Sequence, residues 1–221
     1  EFWRVNAFDW RRSFAEIFTT GGFDAVIGNP PYVRQEVLGS DFKDYAKQKY
    51  ETYAGTADLY IYFIEKSHKI LKKKGYFSFI VSNKWMRANY GKAVRAFLKS
   101  KSELVEIVDF GELPVFQNAA TFPTIIVTRR NEQVKQNFLY APVKTLDFAS
   151  LANEVERVGS YLSEAAISDE NWTLTNAKEL AVLQKMQNQG VCLNDYVDGQ
   201  IYRGVVTGAN TIFVIDRKKR D

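Results

Sequence analysis

The sequence has almost none of the residues that most often build metal sites or disulfides. Its 221 residues include one cysteine, Cys192, and one histidine, His68. An internal disulfide, a multi-cysteine zinc site and a histidine-cluster metal site are therefore excluded. No apolar run approaches membrane-spanning length and no signal-like segment is present, so we expect a cytoplasmic protein with no membrane partner. His68 lies on a predicted helix, where we expect it at the surface or its boundary.

The composition is that of a globular chain with a mild excess of positive charge. Hydrophobic residues make up 46% of the sequence, charged residues 25%, and the formal net charge is +4. A basic balance of this size is compatible with a polyanionic partner but does not identify one. Lysines concentrate in residues 69–74 and 92–101, where we favour solvated helix faces over a phosphate-binding stripe.

Proline is scarce too, and two of the five prolines are adjacent. They lie in GGFDAVIGNPPYVRQE, residues 21–36, directly after an apolar run that predicts a buried strand. Adjacent prolines remove two backbone donors and fix two backbone angles where the strand ends. The strand end therefore presents the carbonyl of Pro30 beside the Asn29 amide and the Tyr32 ring.

These acceptors suit an exocyclic amino group on a nucleobase. The Asn29 side-chain oxygen and the Pro30 carbonyl can accept its two hydrogens, which leaves the nitrogen lone pair directed at an electrophile. Pro31 favours an extended backbone at Pro30. The Tyr32 ring can stack on the base, a contact worth about 1–3 kcal/mol per base in single-strand binders. A base from duplex DNA would have to be flipped out of the helix to be held in this way.

Four apolar runs of strand length alternate with helical patterns. The runs are FDAVIG, GYFSFIVSN, ELVEIVDFG and TFPTIIVTRR, with Pro123 near the entry of the last. Amphipathic spacing predicts helices over residues 57–74, closed by Gly75, and over residues 85–101. The alternation predicts an α/β fold with a doubly wound sheet that is covered on both faces and binds ligands beyond the carboxyl ends of its strands.

The amino-acid composition of the sequence changes after about residue 141. The following residues are polar and helix-prone, and strand-like residues return near residue 201. We therefore predict a catalytic domain over residues 1–145, a linker over residues 146–165 and an incomplete second domain over residues 166–221.

Several segments together resemble the S-adenosylmethionine-dependent amino-methyltransferases, in particular the DNA adenine-specific (N6) enzymes of type II and type IIG restriction-modification systems. NPPY after a strand resembles their catalytic motif, and NAFDW resembles their cofactor-adenine strand end. ADLYIYFIEKSHKILKKKGYFSFIVSNKWM resembles the helix, strand and loop that follow, and ELPVFQNAATFPTIIV resembles the later segment with a base-stacking aromatic residue. IYRGVVTGANTIFVID resembles the opening of the target-recognition domain. The resemblance is most convincing over residues 5–130.

This resemblance implies a fold, a cofactor and a partner. The fold would be the C-terminal part of a Rossmann-like methyltransferase sheet, followed by the start of a separate target-recognition domain. The cofactor would be S-adenosylmethionine, and the partner would be duplex DNA. The reaction would methylate the exocyclic amine of a flipped adenine. Whether the same polypeptide also contains an endonuclease domain is left open by the resemblance.

The resemblance also implies roles for individual residues. The catalytic residues would be Asn29, Pro30, Pro31 and Tyr32. The flipped base would stack between Tyr32 and Phe116. The cofactor-binding residues would be Asp9, Phe63 and Asn29, with Asp9 as a partner for the cofactor's adenine amine. Arg203 is a candidate DNA contact, because arginine can bind guanine bidentately in the major groove.

Ordinary structural explanations compete with some of these roles. Asp9 could be a solvated cap, and Asn6 competes with it for the assignment. Without the resemblance, Phe63 would be assigned to core packing on an amphipathic helix. Helix capping, packing and solvent exposure account for Asp58, Tyr60 and Lys84, which we leave out of the predicted site.

One departure from the family limits what this segment can do alone. The glycine-rich loop and acidic residue that hold the rest of the cofactor precede the catalytic motif in this family, and TTGGF does not replace them. We therefore expect the segment by itself not to methylate. Two alternatives remain: a methyltransferase that acts on RNA adenine or a protein glutamine amide, and a non-catalytic DNA-binding specificity module that keeps the fold as a scaffold.

Overall fold

A mixed six-stranded sheet forms the centre of the fold. The computed structural model describes residues 8–116, 122–131, 137–163, 167–175, 179, 182, 185, 186 and 188–202. The strands are β1 Phe23–Gly28, β2 Leu71–Ser82, β3 Ser102–Asp109, β4 Pro123–Arg130, β5 Asn137–Pro142 and β6 Ser160–Ser163. Their order in the sheet is β1-β2-β4-β3-β5-β6. β1 is parallel to β2, β4 is antiparallel to both β2 and β3, β5 is parallel to β3, and β6 is antiparallel to β5.

The α-helices of the described residues are short. They are α1 Trp10–Ser13, α2 Ala15–Thr19, α3 Ser40–Lys49, α4 Leu59–Ile70, α5 Lys92–Lys101, α6 Leu151–Val158 and α7 Leu193–Tyr196. Three 3₁₀ helices cover Gln35–Val37, Asn83–Met86 and Asn89–Gly91. Within the described ranges, no helix is long and apolar enough to cross a membrane.

The four predicted strands are confirmed, and Pro123 is the first residue of β4. The predicted helix over residues 57–74 is too long, because α4 ends at Ile70 and the next residue already has an extended backbone. Gly75 lies inside β2, where a Cβ atom would approach the carbonyl oxygens of Phe23 and Asp24 to 3.0 Å. This glycine permits close approach to β1 and does not end a helix.

The start of the second predicted helix is also wrong. The α-helix begins at Lys92, and the residues from Asn83 to Gly91 form two 3₁₀ helices in place of the predicted first turns. A Cβ atom at Gly91 would lie 1.8 Å from the carbonyl oxygen of Trp85, so only glycine fits where the second 3₁₀ helix enters α5.

One face of the sheet carries the main core. The helices α4 and α5 pack on β2 and β3. The core residues on this face are fully or nearly fully buried and include Ile61, Ile64, Phe77, Phe79, Val81, Val94, Leu98, Leu104, Ile107 and Ile126. A helix spacing of three and four residues and a strand spacing of two place these side chains on facing surfaces.

The opposite face is covered over only part of the sheet. There Val108 and Ala141 pack against Val155 of α6. Over β1 and β2, however, the side chain of Ile27 is 83% exposed and that of Tyr76 is 48% exposed. Within the described residues, the predicted coverage of both faces therefore holds for β3 and β5 and fails for β1.

His68 is part of the core. Its side chain is 1% exposed, so the predicted surface position is wrong. The ring nitrogens lie 2.9 Å from the Ile64 carbonyl oxygen and 2.8 Å from the Thr128 hydroxyl. Because a carbonyl oxygen can only accept, Nδ1 carries the proton and Nε2 accepts from Thr128. Amphipathic spacing places His68 on the buried side of α4, facing β4.

Regular structure continues through the predicted linker. Residues 146–165 contain α6 and the edge strand β6. The chain then returns to the core, where the Trp172 amide donates to the Met86 carbonyl and the Trp172 ring packs on Trp85. The buried guanidinium of Arg95 donates to four carbonyl oxygens, those of Trp85, Ala88, Asp169 and Glu170. These contacts hold residues 167–174 to α5 and its preceding 3₁₀ helices.

The chain divides into two compact units, Glu1–Asn176 and Ala177–Asp221. The first unit contains the whole sheet and extends beyond the predicted domain boundary at residue 165. In the second unit, α7 is followed by Asp198 and Gly199, which both have positive φ angles of 50° and 74°.

Candidate functional site

Strands β1, β2 and β3 end at the same edge of the sheet, as does β5, which is parallel to β3. β1 and β2 are parallel, and β4 is antiparallel to both β2 and β3, so β1, β2 and β3 run in one direction. Asn29, Asn83 and Asp109 stand at their carboxyl ends. This is the edge where ligands bind in open α/β sheets.

The four residues of the predicted catalytic motif alternate between exposed and buried positions. Asn29 and Pro31 are exposed, Pro30 is buried and Tyr32 is half-buried. Gly28 is in register with Phe79 of β2. The Tyr32 hydroxyl donates to the carbonyl oxygen of Ile80, the next residue of β2, at 3.2 Å. The loop after β1 therefore folds back onto β2, and Asn29 faces solvent at the sheet edge.

Two aromatic rings contact Tyr32 at this edge. The centroid of the Phe116 ring lies 6.2 Å from that of Tyr32, with an angle of 64° between the ring planes. The Tyr60 ring lies 6.3 Å away at an angle of 44°. The structure thus brings together Tyr32 and Phe116, which are far apart in sequence, and their role as the two sides of a base pocket stays a prediction.

Hydrogen bonds at the ends of β2 and β3 support the start of the Phe116 loop. Asp109 Oδ1 accepts from the Asn83 side-chain amide and from the backbone N–H of Gly111, both at 3.0 Å. Gly111 has a φ of +54°, a left-handed conformation that glycine adopts at no steric cost. Leu113 and Val115 pack against the smaller core cluster beneath the loop. Phe116 therefore extends from an anchored segment.

Tyr60, which contacts the Tyr32 ring, is paired with Tyr90. Tyr60 is 1% exposed, and its hydroxyl lies 2.9 Å from that of Tyr90. Burial raises the pKa of all three phenols, those of Tyr32, Tyr60 and Tyr90. All three are therefore neutral at physiological pH, and Tyr32 offers a ring face and a hydroxyl, not a phenolate base.

A cavity of about 300 Å³ lies beside α4, and no residue of the catalytic motif lines it. Phe63 lines it together with Phe8, Trp10, Leu59 and Lys66. Asp9 is exposed and caps α1 by accepting from the Arg12 backbone N–H at 3.1 Å. Burial lowers the pKa of Lys66, and the negative charge of Asp9 partly opposes this shift. Asp9 and Phe63 thus lie near one aromatic cavity, which Asn29 does not line.

The structure adds residues that the sequence interpretation missed. Tyr60 and Tyr90 contact each other across 30 positions, and nothing in the local pattern links them. Asn83 and Asp109 could have been identified from the sequence, because Asn83 directly follows the apolar strand β2 and Asp109 is the last residue of the apolar strand β3. Arg203, the candidate DNA contact, lies outside the described residues.

Comparison with known protein families assigns the chain to one of them. The sequence profile of the Eco57I restriction-modification methylase family matches residues 2–116. The chain belongs to the Eco57I restriction-modification methylase family. The matched region includes Asp9, the Asn29–Tyr32 motif, Phe63 and Phe116, and it excludes Arg203.

Curated relatives of this Eco57I-family chain carry methyltransferase names. It is 29% identical over 215 residues to the type II methyltransferase M.BstVI of Geobacillus stearothermophilus, covering 90% of this chain and 38% of the relative. It is 27% identical over 216 residues to the type II restriction enzyme and methyltransferase RM.Eco57I of Escherichia coli, covering 95% of this chain and 20% of the relative. The chain thus spans well under half the length of these relatives.

Solved structures share the fold of this Eco57I-family chain. A modification subunit assigned to a type I restriction enzyme of Vibrio vulnificus YJ016 superposes with a TM-score of 0.57 at 15% identity, over 77% of this chain and 41% of that one. The type IIG restriction endonuclease BpuSI superposes with a TM-score of 0.51 at 16% identity, over 75% of this chain and 22% of that one. The Rossmann-like methyltransferase architecture predicted from the sequence is confirmed.

Proposed function

We propose that this chain supplies the catalytic edge of a site-specific DNA methyltransferase of a restriction-modification system. Its substrate is the exocyclic amine of an adenine in duplex DNA, and its methyl donor is S-adenosylmethionine. The observation that carries the proposal is the position of Asn29-Pro30-Pro31-Tyr32 at the carboxyl end of β1, with the Tyr32 ring 6.2 Å from that of Phe116. The methyltransferase names of relatives that align with about 90% of the chain support the same activity.

Asn29 and Pro30 bind the amine through two acceptors. The Asn29 side chain is exposed and makes no hydrogen bond to another described residue, so its oxygen is available for one amine hydrogen. Pro30 is buried, which fixes the position of its carbonyl for the other. When both hydrogens are accepted, the nitrogen lone pair is no longer drawn into the base ring and points at the methyl donor. The residues act by positioning and electrostatics, with no covalent intermediate on the protein.

Tyr32 and Phe116 hold the two faces of the flipped base. In the structure their rings meet edge to face, at an angle of 64°. A base that enters between them replaces this contact, so the Phe116 ring must turn to lie parallel to the base. The Tyr32 ring keeps its place because its hydroxyl is bonded to β2. Stacking then offsets part of the cost of removing the base from the duplex.

The cavity beside α4 fits the aromatic part of the cofactor. S-adenosylmethionine, when bound, supplies an electrophilic methyl group. The Phe63, Phe8 and Trp10 rings line the cavity, and flat apolar walls suit a purine ring. The exposed Asp9 carboxylate can accept from an amino group. We propose that Asp9 and Phe63 hold the adenine of the cofactor and that Asn29 lies between cofactor and substrate.

The decisive experiment measures methyl transfer by the full-length polypeptide. Unmethylated plasmid DNA is incubated with the protein and labelled S-adenosylmethionine, and the digested nucleosides are analysed by mass spectrometry. We expect methyladenine with the wild type and none with Asn29→Ala. Cofactor binding and DNA binding by Asn29→Ala, measured by calorimetry and fluorescence anisotropy, should stay close to wild type.

Asn153→Ala is the matched control, because the Asn153 side chain is exposed on α6, a helix that packs on β5. It should methylate as the wild type does. Normal methylation by Asn29→Ala would refute the role of this residue. A folded wild type that binds the cofactor but methylates only RNA or protein would keep the mechanism and change the substrate, and one that methylates nothing would favour a non-catalytic specificity module.

We further propose that a restriction activity accompanies the methyltransferase. RM.Eco57I is named as both restriction enzyme and methyltransferase, and this chain covers 20% of its length. The activity can reside in the same polypeptide or in a separate endonuclease. Incubation of unmethylated and premethylated DNA with the full-length polypeptide and Mg²⁺ distinguishes these cases, because only a fused enzyme cleaves the unmethylated DNA unaided.

A further inference from the structure

Asp58 occupies the N-cap position of α4 but does not cap its own helix. Its backbone is extended, as is typical of an N-cap residue, yet its carboxylate accepts no hydrogen bond from the first turn of α4. Two other N-cap residues behave in the usual way: Ser150 accepts from the Asn153 amide, and Asp9 accepts from the Arg12 amide. The Asp58 carboxylate must therefore be explained by another contact.

That contact is with the loop that leaves the catalytic motif. Asp58 Oδ1 accepts from the backbone N–H of Gln35 at 3.1 Å. The backbone N–H of the next residue, Leu59, donates to the carbonyl oxygen of Val33 at 3.0 Å. Two successive residues of one segment thus bind two backbone groups immediately beyond Tyr32. This pairing fixes the position and direction of the chain where it leaves the motif.

The same end of α4 also contacts the catalytic tyrosine directly. Tyr60, two residues after Asp58, packs its ring 6.3 Å from that of Tyr32 and is itself fixed by the Tyr90 hydroxyl. The side chain of Asp58 is half-buried, and burial raises its pKa, partly offset by the Gln35 N–H bond. Partial burial of a carboxylate costs free energy unless hydrogen bonds compensate for it, and the bond from the Gln35 N–H is the contact that does so here.

We propose that Asp58 is a positioning residue for methyl transfer, holding residues 33–35 so that the motif from Asn29 to Tyr32 keeps its geometry against β2. The proposal rests on the proposed function. Asp58 acts through the backbone of the loop, because its side chain lines neither the cavity beside α4 nor the ring pair of Tyr32 and Phe116. Since the motif works by placing two acceptors and a ring, a small displacement should reduce turnover more than binding.

The test compares three variants of the full-length polypeptide. Asp58→Ala removes the acceptor, and Asp58→Asn removes the charge but keeps a side-chain oxygen that can accept from Gln35. Ser150→Ala is the matched control, since it removes a true helix cap from α6, a helix that packs on β5 and makes no hydrogen bond to residues 33–35 among those described. Steady-state methylation gives kcat and the KM for DNA. Hydrogen–deuterium exchange of peptides covering residues 33–38 reports directly on the Gln35 amide.

We expect Asp58→Ala to lower kcat by about 10-fold or more with little change in the KM for DNA. It should also exchange faster in residues 33–38. Asp58→Asn should restore both quantities, and Ser150→Ala should lower the melting temperature without affecting either. The inference is overturned if Asp58→Ala leaves kcat and loop exchange unchanged, or if Asp58→Asn is as impaired as Asp58→Ala.

Failure of the proposed function and failure of the positioning role of Asp58 give different results. If the folded wild type transfers no methyl group to DNA, the proposed function fails, and loop exchange in Asp58→Ala still decides whether Asp58 holds the loop. If the wild type methylates DNA and Asp58→Ala does so equally well, only the positioning role is lost.

Discussion

Asn29 and Tyr32 belong to one short motif but depend on the rest of the chain in different ways. Asn29 is exposed and without a partner among the described residues, so its role follows from its own chemistry and its place at a strand end. Tyr32 is held by the Ile80 carbonyl, Tyr60 and Phe116, which come from three separate segments. The sequence could therefore predict what Asn29 offers, whereas the support of Tyr32 required the fold.

Among the described glycines, Gly91 is the one where an added methyl group would make the closest contact. A Cβ atom there would lie 1.8 Å from the Trp85 carbonyl oxygen and 2.6 Å from Arg95 Nη1, atoms that are fixed because they bond to each other. We expect Gly91→Ala to destabilise the protein by about 3 kcal/mol or more, since the backbone must move and a buried network breaks. Urea unfolding followed by tryptophan fluorescence measures the change.

Gly55→Ala is the control for this prediction. Gly55 is exposed, and a Cβ atom there would meet only the Tyr53 hydroxyl, at 3.8 Å. Its unfolding free energy should change by no more than about 0.5 kcal/mol. Equal stability of the two variants would show that the 3₁₀ helix before α5 can shift without cost.

At the scale of elements, the existence of strands was predictable and several of their boundaries were not. Continuous apolar runs identified β1 to β4, because a strand buried on at least one face must be apolar along that face. Lys72 to Gly75 combined the two usual signs of a helix end, basic residues and a glycine. In the structure Gly75 allows the backbone of β1 to lie close to β2. A contact between two strands of this kind cannot be predicted from a local sequence pattern.

The predicted linker shows a related limit. Residues 146–165 are polar enough to suggest a connection, yet they form α6 and β6 because each needs only one apolar stripe against β5. The return of residues 167–174 to the core depends on Arg95, whose guanidinium is saturated by four carbonyl groups. An arginine side chain on a helix usually lies on the solvent-exposed face, so this buried contact could not be predicted from the sequence.

His68 joins α4 to β4 and should make stability depend on pH. Burial, the main cause, lowers its pKa from 6.5 to about 4. Between these values the unfolded chain binds a proton that the folded chain does not. The stabilisation is therefore complete above about pH 6.5 and is lost as the pH falls toward 4. We expect a loss of about 2 kcal/mol from this residue between pH 7.5 and pH 5.

The measurement is urea unfolding of the wild type and His68→Gln at both pH values. Glutamine is neutral throughout and keeps a donor and an acceptor. His68→Gln should be less stable at pH 7.5 but should lose less stability at pH 5, so that the two proteins converge on acidification. Parallel losses in both proteins would assign the pH dependence to the carboxyl groups instead.

At the scale of the whole molecule, the sheet gives the chain two unlike edges. The carboxyl ends of β1, β2 and β3 carry Asn29, Asn83 and Asp109, with the exposed Lys84 beside them. The opposite edge carries the starts of β1 and β2, including the exposed Lys73. Net charge alone, +4 over 221 residues, could not indicate which edge meets a polyanion, because that depends on the direction of the strands.

If DNA is the substrate, Lys84 and Lys73 should contribute differently to the salt dependence of DNA binding. Phosphate contacts release counterions, so the affinity of the full-length polypeptide for duplex DNA should fall steeply with salt, with a log–log slope of roughly −0.9 per phosphate contact. Lys84→Gln, at the catalytic edge, should reduce that slope by about 1, whereas Lys73→Gln should leave it unchanged. Fluorescence anisotropy titrations over a series of KCl concentrations provide the slopes. Equal slopes for both variants would remove Lys84 from the DNA interface, and an affinity independent of salt would argue against DNA as the substrate, because a duplex held at this edge must place its phosphates against the protein.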